Sequence, residues 1–302
     1  MIELLQADPV IFTSLVFLLS LMVGSFLNVV IHRLPKMMES EWQAQCAELR
    51  GEVMPDAPQG YSDPLRAEAR VESYVPRYNL WLPRSACPKC GHQITALENI
   101  PVLSWLWLRG RCSACDTAIS ARYPAVELLT AVLAAAAALK WGVSIQTLGA
   151  LLLIWALVAL AFIDLDTTLL PDSLTLPLLW LGLLFNLGGH FASLSDEVVG
   201  AMAGYGVLWA VFWLFKLATG KDGMGYGDFK LLAVMGAWMG WQMLPITLLL
   251  SSVVGATVGV AMIVFIKHDR RVPIPFGPYL AGGGLVALFF GTNLTQAYLA
   301  QL

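Results

Sequence analysis

The chain has 302 residues, 58% of them hydrophobic and only 13% charged, with a mean hydropathy of +0.69. An ordinary soluble domain carries about 25% charged residues, so the composition excludes a water-soluble globule and indicates a protein folded largely in lipid. The formal charge of −3 points to no partner; the placement of the charges along the chain is more informative.

Eight apolar stretches are long enough to count as candidate spans, at roughly 10–31, 124–141, 146–163, 173–191, 198–217, 229–241, 244–266 and 279–300. They predict an all-α polytopic membrane protein of about eight transmembrane helices, with one soluble insert after the first. The predicted domains are the first transmembrane helix at 1–31, a cytoplasmic domain at 32–123 and a seven-helix membrane domain at 124–302. The first stretch does not read as a signal peptide. Glu3 and Asp8 precede it without a Lys or Arg, and no small-residue cleavage site follows before Asn28.

Basic residues predict the orientation. The segment from His32 to Arg122 holds 11 of the 18 Lys and Arg. Lys216, Lys221, Lys230, Lys267, Arg270 and Arg271 fall on the same side by span count, leaving Lys140 alone on the other. The basic side is expected to be cytoplasmic, with both termini facing out.

Within 32–122 the 11 basic residues are nearly balanced by 10 acidic ones, which gives a nucleic-acid role no support. Residues 37–50 suit a short amphipathic helix on the membrane surface, and 51–83 read as irregular. The second half carries Cys87-Pro-Lys-Cys90 and Cys112-Ser-Ala-Cys115, two C-x-x-C pairs separated by 21 residues. Such pairs form knuckles whose four thiolates can close a tetrahedron around zinc, and a closed four-cysteine site is structural. The competing reading, two disulfides, is disfavoured in a loop facing a reducing cytoplasm. Cys46 lies outside the pattern as a free thiol. Between the pairs, Trp105, Trp107 and their leucine neighbours suit either a small ribbon core or contact with the bilayer interface.

The third span closes on Ile163-Asp164-Leu165-Asp166. Asp164 abuts an unbroken apolar run, where a carboxylate is costly to keep. Asp166, two residues on, points to another helix face. Asp172 follows Pro171 at the start of the fourth span and reads most simply as an N-cap. The sixth span is preceded by Gly223-Met-Gly-Tyr-Gly-Asp228-Phe-Lys230. Its glycines oppose helix and permit a tight turn or close approach. Asp228 is then either a cap or chemistry. Two crossings separate Asp164 from Asp228, so both carboxylates lie on one membrane face and can meet. His190 and His268 fall at loop edges, and no Cys lies among the spans nearby, which disfavours a Ser–His nucleophile or an intramembrane zinc site.

The pattern of Asp164, Gly225-Tyr226-Gly227-Asp228, the two C-x-x-C pairs and Gly24-Ser-Phe-Leu-Asn-Val-Val-Ile-His-Arg-Leu-Pro35 resembles the bacterial type IV prepilin peptidases. These are bifunctional leader peptidase/N-methyltransferases of the GxGD aspartyl protease type, and the resemblance covers nearly the whole chain. It implies an inner-membrane enzyme with periplasmic termini. Its substrates would be prepilins and pseudopilins, cut after a glycine at the cytoplasmic face. The new N-terminal residue would then be methylated from S-adenosylmethionine. It also implies that Asp164 and Asp228 are the catalytic pair, and that Cys87, Cys90, Cys112 and Cys115 hold zinc. The methyltransferase activity rests on the resemblance alone, because the sequence has no G-x-G-x-x-G and no room for a Rossmann domain. Pro275-Phe-Gly277-Pro-Tyr279 either shapes a substrate path or simply starts the last helix. A proton-coupled transporter would also place carboxylates in a membrane, but it favours inverted repeats, which the sequence lacks. A zinc-ribbon scaffold would explain the cysteines and leave the paired aspartates without a role.

Overall fold

The computed structural model describes residues 6–50, 78–265 and 274–299. Most of the segment read as irregular, together with Lys267, His268, Arg270 and Arg271, lies outside the described residues. Those described form an all-helical protein with no strand, and eight helices stand where the eight apolar stretches are. They are α1 (Pro9–Leu49), α3 (Arg122–Trp141), α4 (Ile145–Thr167), α5 (Asp172–Phe185), α6 (Leu194–Thr219), α7 (Tyr226–Met239), α8 (Leu244–Phe265) and α9 (Gly277–Leu299), with a short α2 (Leu103–Trp107) in the insert. Five runs are long and apolar enough to cross a membrane: α1, α3, α4, α6 and Trp241–Phe265. The 14 residues of α7 reach about 21 Å, short of a bilayer core. Gly225 begins that helix, and Gly240, at φ +78°, ends it.

The first helix corrects one expectation. Residues 37–50 do not form a separate surface helix; α1 runs unbroken for 41 residues, about 60 Å, from its Asp8 cap to Leu49. Pro35 inside it removes one backbone donor without ending it. Past the apolar stretch, Arg33 is buried and donates to the carbonyls of Asn79 (2.8 Å) and Pro83 (2.6 Å), so the returning chain is tied to this helix.

Helix α1 packs along α3 through small residues. Ala131, Ala134 and Ala137 are fully buried, and a Cβ on Gly24 would lie 2.7 Å from the Glu127 Cα. The same device joins α6 to α7, where a Cβ on Gly200 would stand 2.5 Å from the Gly236 carbonyl oxygen. Close backbone approach of this kind is how helices associate in lipid, where apolar surface alone gives little preference for protein over membrane.

Helix α7 is the centre of the bundle. Asp228, Phe229 and every residue from Leu231 to Met239 are buried, and helices that are apolar all round belong inside. Its far end is pinned by Trp238 Nε1, which donates to the Leu178 carbonyl (2.8 Å), and by Asn186, which donates to the Trp238 carbonyl (3.0 Å). At that same far end Lys140 donates to the carbonyls of Leu288 (3.2 Å) and Phe289.

Candidate active site

Three helix ends meet around Leu170, in the turn between α4 and α5. Helix α4 stops one turn beyond Asp164, where Thr168 takes a left-handed conformation (φ 54°) and its N–H bonds to the Asp164 carbonyl at 2.8 Å. That stop leaves the Asp164 side chain 96% shielded from solvent, facing the start of α9. There the Gly277 N–H donates to Asp164 Oδ2 at 2.9 Å. Helix α7 begins on the other side of Leu170: a Cβ on Gly227 would meet Leu170 Cβ at 2.7 Å, and one on Gly277 would meet Leu170 Cδ1 at 3.3 Å. Asp228, in the first turn of α7 and next to Gly227, is 6% exposed. Two buried carboxylates 64 residues apart in the chain thus lie at the same end of the bundle, on either side of Leu170.

Asp228 is not the N-cap of its helix. Gly225 holds that position, and Asp228 falls three residues later. Gly227 needs no left-handed backbone, since the positive-φ glycines do not include it; its missing Cβ makes room for Leu170. Asp172 also departs from expectation. The N-cap of α5 is Pro171, and Asp172 instead accepts from Lys230 Nζ at 2.6 and 2.7 Å. Asp166 points away from Asp164, as its spacing required, and pairs with Arg122 Nη2 (2.8 Å) in a bidentate contact. Neither Asp164 nor Asp228 takes part in these ion pairs. Leu170 and the Lys230 pairing carry no signal in the sequence, and Gly277 falls in the 275–279 segment read as a substrate path or a helix start, with nothing to tie it to Asp164. A glycine between two prolines was the single local hint at Gly277.

The four cysteines form a second constellation. Cys87, Cys90, Cys112 and Cys115 place their sulfurs within 4.8 Å of one another, with 3.8 Å between the Cys87 and Cys115 Sγ atoms. A tetrahedral zinc thiolate site with bonds of about 2.3 Å needs sulfur separations of about 3.8 Å. Each pair lies in the same turn. The Cys87 N–H bonds to the His92 carbonyl and the Cys112 N–H to the Thr117 carbonyl, at 2.8 and 2.9 Å. One bridge, Ala86 with Gln93, flanks the first knuckle, and Arg111 with Ala118 flanks the second. The side-chain hydroxyl and backbone of Thr117 pull the Cys115 thiol down. At Cys90 the opposing pull of the His92 backbone is outweighed by burial and the neighbouring sulfurs, which push that thiol up, so without metal the four thiols lose few protons between them. Glu98 links the knuckles, accepting from Ser113 on one and standing 3.3 Å from His92 Nε2 on the other. The insert is fastened to the bundle where the Val102 N–H donates to the buried carboxylate of Glu127 on α3 at 2.7 Å. Cys46 is a free, exposed thiol away from this cluster.

Two family models match the chain. One, described as the bacterial peptidase A24 N-terminal domain, covers residues 18–141 and so includes all four cysteines. The other, the type IV leader peptidase family, covers residues 151–260 and includes both Asp164 and Asp228. A prepilin leader peptidase/N-methyltransferase of Aeromonas hydrophila is 60% identical over 301 residues, covering 100% of this chain and 98% of that protein. Proteins of the same name from Aeromonas salmonicida (strain A449) and a Pseudomonas aeruginosa strain are 59% and 52% identical, over 100% and 99% of this chain and 99% and 97% of theirs. No solved structure matches the chain significantly. Matched along its whole length at this identity, the chain belongs to the type IV leader peptidase family.

Proposed function

We propose that this protein is a membrane-embedded aspartic endopeptidase and N-methyltransferase. It removes the leader from type IV prepilins and pseudopilins, then methylates the exposed amine using S-adenosylmethionine. The observation that carries the peptidase reading is the burial of Asp164 and Asp228 at helix ends that adjoin across Leu170. Like charges in a water-poor site resist ionising together, so such a pair tends to hold one proton between them. One carboxylate then takes a proton from the attacking water while the other donates to the scissile carbonyl. The exposed Asp166 and Asp172, each already paired with a cation, are unsuited to that exchange. Proton transport is not favoured, because the relatives are named as peptidases and the pair ends at a helix turn.

The four cysteines are proposed to hold one structural zinc, which would cross-link the two knuckles and has no open position for catalysis. We place the cleavage site at the cytoplasmic face of the bacterial inner membrane, in contact with lipid, with both termini periplasmic. The division into 1–31, 32–123 and 124–302 then separates an anchor, a cytoplasmic ribbon and the domain that carries the pair. Purified protein incubated with a leader-bearing prepilin should yield the shortened pilin by mass. Addition of S-adenosylmethionine should then add one methyl group. Intact substrate from well-folded protein would refute the peptidase reading.

A further inference from the structure

We propose that Gly277 is a positioning residue for cleavage: its backbone N–H, at the start of α9, holds Asp164 as the ionised general base and leaves Asp228 to carry the shared proton. The role rests on the dyad reading above. Its own evidence is geometric. The N–H reaches Asp164 Oδ2 at 2.9 Å inside the protein, across 113 residues of sequence. Hydrogen bonding to a carboxylate favours its charged form, and the positive end of a 23-residue helix adds to that preference. Among the described residues, Asp166 is paired with Arg122 and Asp172 with Lys230, while Asp228 lies buried beside Gly227 on the other side of Leu170 from Gly277.

A glycine is required for the contact. A Cβ at 277 would stand 2.6 Å from Asp164 Oδ2 and 3.1 Å from its Cγ, with Leu170 at 3.3 Å behind. Any side chain would therefore push the carboxylate off the N–H that holds it. The flank of Asp228 on the Gly225 side is less crowded. A Cβ on Gly225 would find nothing nearer than 3.9 Å, where it would meet Asp228 Oδ2 and the Gly227 nitrogen. That open flank leaves room for a peptide carbonyl beside Asp228, while Asp164 is held from behind.

The steps then balance. Water oxygen bonds to the scissile carbonyl carbon as its proton passes to Asp164, and the Asp228 proton passes to the carbonyl oxygen. On collapse the carbon–nitrogen bond breaks. Asp164 gives its proton to the leaving nitrogen, and one hydroxyl of the intermediate returns a proton to Asp228, leaving acid and amine.

The test compares full-length Gly277→Ala, Gly282→Ala and Asp164→Asn proteins on a leader-bearing prepilin, with cleavage followed from pH 5 to 9. Gly277→Ala should lower kcat about 100-fold or more, as a displaced catalytic group does, with KM within about twofold. The acid limb of its kcat/KM profile should move up by about one pH unit, because that limb reports the base. Gly282 lies on the same helix with nothing within 4 Å of its Cβ position, so its alanine variant should cut normally. Wild-type kcat and an unshifted profile in Gly277→Ala, with Asp164→Asn inactive, would overturn this role and leave the dyad standing. Normal cutting by Asp164→Asn would instead remove the dyad, and this role with it. A readout that does not depend on folding of the glycine variant is amide exchange at Gly277. It should be slow in the wild-type protein and about tenfold faster or more in Asp164→Ala; equal rates would also overturn the proposal.

Discussion

The cysteine ribbon and the aspartate pair are built in opposite ways. All four cysteines fall between residues 87 and 115, and each knuckle closes on backbone bonds made within its own turn. The aspartates come from α4 and α7, and the residue that holds Asp164 comes from α9. A local site keeps its geometry wherever its segment is placed. A site assembled from three helix ends exists only while the bundle holds them. The ribbon should therefore be tolerant of lesions in the bundle, whereas the pair should fail whenever a helix start moves by a fraction of an ångström.

The largest expected effect falls on the pair itself. Asp164→Asn or Asp228→Asn should reduce prepilin cleavage by about 10³-fold or more while the protein remains folded, since both proton-transfer roles are lost together. Asp166→Asn should spare most activity, because its partner is Arg122 rather than the other aspartate. Full activity in Asp164→Asn with loss in Asp166→Asn would mean that the wrong carboxylate had been assigned. The same Asp228→Asn protein should still methylate a pilin supplied without its leader, because methyl transfer to an amine needs no carboxylate pair. Arg109 and Arg111 in the ribbon are the residues whose loss should weaken methylation and keep cleavage. Absence of a methyl mass shift from folded Asp228→Asn protein would argue for one shared site.

Replacing both cysteines of either pair with serine sharpens the contrast from the other side. Metal analysis should fall from one zinc per chain to none, and amide exchange across residues 84–122 should rise. Cleavage should fall less than in either aspartate variant. Intact disulfides within 87–90 and 112–115 in protein from reducing cells would rule the metal site out.

A smaller effect is expected at Gly227. Its Cβ would meet Leu170 at 2.7 Å, so Gly227→Ala should cost about 1–3 kcal/mol of packing and lower cleavage roughly tenfold. Trimming Leu170 to alanine in the same protein should restore part of the loss; no restoration would mean that the glycine serves something other than this contact.

The smallest prediction concerns acid. The Ser113 hydroxyl, then the Thr95 backbone and side chain, hold the Glu98 carboxyl down to about 2 from an ordinary 4.5. A depressed folded value means the stabilisation is complete above about 4.5 and is lost as pH falls through about 2. Glu98→Gln should flatten the acid dependence of ribbon exchange in that window while leaving behaviour at neutral pH nearly unchanged. An identical acid profile in the variant would remove Glu98 as the link between the knuckles.

What the sequence determined is what short-range chemistry dictates. Apolar run length set where the helices lie, α1 overrunning its stretch to Leu49 and α5 stopping short at Phe185, and the C-x-x-C spacing brought four sulfurs together, because a knuckle is made by neighbours in the chain. The span count also put Asp164 and Asp228 at one end of the bundle, since an even number of crossings returns a chain to the same face. Only the tertiary structure decided the rest. It joined residues 37–50 to α1, because nothing in that stretch stops a helix already under way. It gave Asp172 to Lys230 rather than to a cap, and put Leu170 and Gly277 against the pair. Those contacts link residues as far apart as 113 positions, and their formation depends on how closely small residues let the helices pack. No period or spacing along the chain records that distance.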